Sequence, residues 1–113
     1  MIHRILILIL ILFSPFFTNA KTNLDSLYSV WRDEAKADSF RVQAYQLYIF
    51  YGYLYPKPDS AIVLAEELRA YCKKRDYLKG EAYALTLLGQ AYFAKADYSR
   101  AKEYHLQSIV IFE

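Results

Sequence analysis

The chain has 113 residues, with 14 Lys or Arg against 12 Asp or Glu, so its formal net charge is only +2. That balance lacks the clustered basic excess of a nucleic-acid footprint. The one Cys, Cys72, excludes an internal disulfide. With 3 Gly, 3 Pro and 12 Tyr, the composition points to helices whose interfaces are wet at one end, where a ring packs and its hydroxyl reaches water.

Residues 1–20 have the layout of a secretory signal. His3 and Arg4 precede an apolar run from Ile5 to Phe13, and the small residues Thr18 and Ala20 suit cleavage after Ala20. The apolar run is nine residues long, before Ser14 and Pro15. A membrane-spanning helix needs about 20. An uncleaved membrane anchor is the competing reading. Lys21 stands where an exported lipoprotein would carry its modified Cys. The expected location is thus periplasmic or secreted, and the part after Ala20 keeps 13 basic and 12 acidic side chains.

Beyond the signal, hydrophobic spacing predicts five helices. Leu24, Leu27, Tyr28, Trp31 and Ala35 share one face of the first, within an N-terminal region 21–38. Asp38-Ser39 reads as a cap for a second helix over about Phe40–Tyr53. Pro56-Lys57-Pro58 marks a turn, with Pro58 opening a third helix that carries Ala61, Leu64, Ala65, Leu68 and Cys72 on one face. Lys73-Lys74-Arg75 suits the negative end of that helix. Residues 75–80 read as a linker. A fourth helix runs from about Gly80 to Ala94, with Asp97 as a cap for a fifth from Tyr98 onward. No segment after the signal alternates with period two.

Superposing Ala61 on Ala101 gives a 40-residue period, each unit being a helix, a short turn and a second helix. The units are 39–75 and 76–113. Leu85, Leu88-Gly89, Tyr92, Ala96-Asp97-Tyr98, Ala101, Tyr104 and Ser108 in the second unit resemble the tetratricopeptide repeat. His105 departs from that pattern, where an aromatic is usual. The first unit is degenerate: it keeps Ala61 and Ala65 but has Ile49 in place of the glycine. The common repeat is about 34 residues long, and the surplus is assigned to the linker. The resemblance implies an all-α short solenoid in which Gly89 and Ala101 lack bulk where two helices cross, while Leu85 and Tyr92 fill the space beside them.

A narrower similarity runs through Trp31, Ala37-Asp38-Ser39-Phe40-Arg41, Gly52-Tyr53-Leu54-Tyr55, Pro58-Asp59-Ser60-Ala61 and Lys79-Gly80. It is to the exported repeat regions of bacterial adenylate/guanylate cyclases and sensor histidine kinases. It implies a non-catalytic, N-terminal sensory piece for protein interaction, in signalling proteins where a membrane helix and output domain follow. The alternative is a self-standing exported adaptor or oligomerising protein. The closing QSIVIFE cannot direct Ile109, Ile111 and Phe112 all at one neighbouring helix. Further repeats or self-association through this helix are therefore expected.

In this fold the first helix of each repeat lines a concave groove for an extended or helical peptide. The resemblance places Tyr83, Thr86, Gln90, Phe93 and Ala94 there in the second unit, and Gln43, Gln46, Phe50, Tyr53 and Leu54 in the first. The bland reading is that Phe50, Tyr53 and Phe93 only pack on neighbouring helices. Thr86 and Gln90 stand where some members carry a carboxylate clamp, so no clamp is predicted. After the signal, Cys72 and His105 are the only Cys and His and fall in different units, too few for a zinc site and a poor catalytic pair. Gly80 stands alone, without a phosphate loop. No catalytic residue, metal or cofactor is predicted.

Overall fold

The computed structural model describes residues 23–113; the signal and its cleavage point lie outside them. Five helical stretches follow one another: α1 over 23–32, α2 Asp38–Gly52, α3 Pro58–Lys74, α4 Leu78–Ala94 and α5 Tyr98–Phe112. There is no strand among the described residues, and the class is all-α as the spacing predicts. Among α2–α5, each helix packs on the next, α2 also reaches α4, and the backbone of α5 comes close to α4 alone.

The turns explain how consecutive helices fold back. After α3, the Asp76 N–H donates to the Lys73 carbonyl and the Tyr77 N–H to the Cys72 carbonyl, with Asp76 at φ 53°. After α4 the same pair recurs 20 residues on: the Ala96 N–H donates to Phe93, the Asp97 N–H to Tyr92, and Ala96 lies at φ 62°. This is the Schellman ending of a helix, and both left-handed positions hold a side chain where glycine is favoured. The α2–α3 turn, residues 53–57, has no such residue. There the Leu54 N–H donates to the Ile49 carbonyl, and the Leu54 side chain is fully buried.

Several local expectations are corrected. Asp38 does not cap α2: Ala37 holds that position without a side-chain bond, and Asp38 lies in the first turn facing α3. Ala35 falls in the turn after α1, and α4 begins at Leu78, ahead of Gly80. The surplus length does not lie between the units. The α3–α4 turn is as short as the α4–α5 turn, and the extra residues sit in the 53–57 turn and in the 17-residue α3. Pro58 opens α3, and Asp97 caps α5 by accepting from the Arg100 N–H at 3.3 Å, both as predicted.

α4 is the centre of the molecule, with Ala82, Leu85, Leu88, Gly89 and Ala91 all buried among α2, α3 and α5. An aromatic cluster seats α1. Trp31 stacks on Tyr45 with ring centroids 4.1 Å apart, and Tyr71 of α3 meets it edge-on at 4.7 Å. Arg41 closes the cluster, donating to the Trp31 carbonyl at 2.9 Å and the Tyr71 hydroxyl at 2.8 Å. Tyr71 donates in turn to Asp38 at 2.7 Å, and Arg75 pairs with Asp38 at 3.3 Å. The Tyr45 hydroxyl donates to Glu67 at 2.8 Å; burial and that bond hold its proton far more tightly than usual.

Candidate partner-binding face

The face is positioned by two close crossings, one on each side of α4. At Gly89 an added Cβ would sit 2.7 Å from Nε2 of His105, so the imidazole tip occupies the space that glycine leaves. Ala101 is buried on the same side, and Tyr92 stacks on Tyr104 at 5.5 Å. Ser108 is buried where α5 meets α4. Its hydroxyl lies 2.9 Å from the Ala82 carbonyl and 2.7 Å from Oγ1 of Thr86, itself 3.0 Å from the same carbonyl. Two hydroxyls carry two protons, so two of these three contacts are donated at once. Leu85, one turn before Gly89 on α4, is buried in the core. The sequence-predicted packing residues Leu85, Gly89, Tyr92, Ala101 and Ser108 are thus brought together. Ala61 and Ala65 are both buried along α3.

The second crossing was not foreseen. A Cβ at Gly80 would lie 2.5 Å from Sγ of Cys72 and 2.6 Å from the Tyr77 ring. Cys72 is buried, and loss of solvent pushes its thiol up to about 11. Buried and protonated, it fills the space beside Gly80. Cys72 serves the α3–α4 crossing and His105 the α4–α5 crossing. Among the described residues, no three of His, Cys, Asp and Glu gather as a metal site would require.

The groove residues divide. Gln43 is exposed, and Gln46 and Gln90 are half-buried; none of the three makes a side-chain hydrogen bond among the described residues. Phe50 is half-buried with Tyr51 and Tyr55 at its edges, at 5.1 and 6.4 Å, and Phe93 is exposed beside Tyr98 at 5.1 Å. Tyr83 turns toward Phe112 of α5 at 6.0 Å. Two of the predicted residues do not belong to an open face. Thr86 directs its hydroxyl into the α4–α5 crossing, because Ala82 and Ser108 offer it a partner there. Leu54 lies in the core, drawn in by the α2–α3 turn. Tyr53 is half-buried, its hydroxyl 3.1 Å from that of Tyr48. That contact, with burial, pushes the Tyr48 phenol up to about 12.

These features define an all-α array of helical hairpins presenting amide and aromatic side chains from alternate helices. No family model, curated protein or solved structure matches the chain. Among the described residues, no helix is long and apolar enough to cross a membrane.

Proposed function

We propose that the chain is a non-catalytic tetratricopeptide-type module for protein–protein interaction, exported by residues 1–20. It forms the N-terminal sensory piece of a bacterial signalling protein of the cyclase or histidine kinase kind. One observation carries the binding role: Gln43, Gln46 and Gln90 sit on α2 and α4 beside Phe50 and Phe93, their amides unpaired among the described residues. Amides next to one half-buried and one exposed ring suit a peptide main chain, which offers donors and acceptors at regular spacing. A self-standing exported adaptor is the second reading, favoured by the exposed apolar side of α5, which gives a small protein a way to associate.

Selection of a displayed random-peptide library on the protein tests the binding role. The expected result is enrichment of peptides whose affinity falls about tenfold or more in Gln90→Ala or Phe50→Ala. Peptides indifferent to both substitutions would overturn it.

A further inference from the structure

Charge is unevenly placed along the array. From Val42 to Pro56, and again from Ala82 to Ala94, there is no Asp, Glu, Lys, Arg or His, in a chain that is 23% charged. The second helix of each hairpin differs. α3 carries Asp59, Glu66, Glu67, Arg69, Lys73 and Lys74, and α5 carries Arg100, Lys102 and Glu103. Burial explains part of the gap, because Val42, Tyr45 and Ile49 of α2 and much of α4 belong to the core. It does not explain the positions that reach solvent. Gln43, Gln46, Phe50, Gln90 and Phe93 are exposed or half-buried, and such positions commonly hold charged side chains. The charges bordering the two stretches turn to other elements. Arg41 reaches the Trp31 carbonyl and the Tyr71 hydroxyl, Glu81 lies 4.0 Å from Lys73 of α3, and Lys95 pairs with Asp59 at the start of α3. Lys57 is exposed beyond the C-terminal end of α2, and Lys79 stands 5.9 Å from the Tyr83 ring at the N-terminal end of α4.

We propose that this face selects an uncharged peptide segment and rejects charged ones. The proposal rests on the peptide-binding reading above and adds the chemistry of the partner. The three amides offer donors and acceptors alike, so they bond a main chain without favouring either sign of charge. A carboxylate or ammonium brought against them gives up water and meets no opposite charge. The face therefore discriminates by a penalty on the wrong partner rather than by attraction to the right one. Contacts of this kind are also little screened by salt.

The test selects a displayed random-peptide library on the unaltered protein, on Gln90→Lys and on Gln90→Glu, with folding verified by circular dichroism. Gln43→Lys, at an exposed position, repeats the exchange should Gln90→Lys fail to fold. Peptides from the unaltered protein are expected to lack Asp, Glu, Lys and Arg. Their affinity should fall about tenfold or more in Gln90→Ala. It should change less than about twofold between about 0.05 and 0.5 M salt. Gln90→Lys should enrich acidic peptides and Gln90→Glu basic ones, since each supplies the counter-charge that the natural face lacks. Peptides that need Gln90 and Phe50 yet carry charges as often as the library does overturn the proposal and leave the peptide-binding reading standing. So does an affinity that falls severalfold with salt, or a charge preference that is the same in all the proteins. No enrichment, or peptides indifferent to both Gln90 and Phe50, overturns the two together.

Discussion

Gly89 and His105 show how two side chains share one volume. In a helix, alanine is preferred to glycine by about 1 kcal/mol. Here an added methyl meets the imidazole at 2.7 Å, so the overlap opposes that preference. We expect Gly89→Ala alone to destabilise by about 1 kcal/mol, the ring being displaced at some cost in packing. In a His105→Ala background the same change should stabilise by about 1 kcal/mol. A double-mutant cycle from urea unfolding checks this, and a coupling energy near zero would show that the two do not compete. The sequence placed Gly89 correctly through its spacing from Tyr92 and Ala101. It could not show that His105 is the reason the position must be small, because the two are 16 residues apart and meet only when α4 and α5 cross. Gly80 is the same situation outside the repeat pattern, known only from the Lys79-Gly80 step of the narrower similarity, and its partner Cys72 carried no signal beyond an apolar face. The buried Cys72 thiol should resist a water-soluble thiol reagent in native protein and react at once in denaturant. Rapid native labelling would contradict its placement.

At the scale of a helix and its turn, the ends decide the direction of the chain. Ala96 holds a left-handed backbone at φ 62°, a conformation that costs a residue with a Cβ about 1 kcal/mol. Ala96→Gly is therefore expected to stabilise by about 0.5–1 kcal/mol despite the greater freedom glycine gains when unfolded. A rise of several degrees in Tm would show it. The short turns at 75–77 and 95–97 were only half legible. Asp97 announced itself as a cap, whereas Ala96 belongs to a residue type that seldom adopts such a backbone, and Asp76, of a type that adopts it more readily, fell in a stretch that read as a linker. The false cap at Asp38 has a tertiary cause: Tyr71 and Arg75 of α3 draw its carboxylate away from the N-terminus of α2. Tyr71→Phe removes the hydroxyl that joins Arg41 to Asp38, and should cost about 1–2 kcal/mol. No change in the urea midpoint would mean that the network is solvated rather than structural.

For the molecule as a whole, the buried acids set an alkaline limit. The Cys72 thiol, the Tyr45 phenol and the Tyr48 phenol all hold their protons more tightly when folded. Unfolded, they release them at about pH 8.5–10. Below that range the unfolded chain keeps the same protons, and these groups leave stability unchanged with pH. Above it the unfolded state sheds protons that the native state retains, so stability falls as pH rises through 9 toward 12. Cys72 alone accounts for on the order of 3 kcal/mol across its own interval. The midpoint of thermal unfolding should be flat from pH 6 to 8 and drop steeply above 9; a Cys72→Ala variant should lose less stability over the same rise.

α4 touches three neighbours, whereas the backbone of α5 approaches only one. Opening α5 therefore uncovers a single interface, but freeing α4 breaks its contacts with α2, α3 and α5 together, leaving only the α1–α3 end of the array. Amide hydrogens along the two helices record this as a gradient in deuterium uptake. Those near Ile111 should exchange within the shortest labelling times, and those around Leu88 only when the whole chain comes apart.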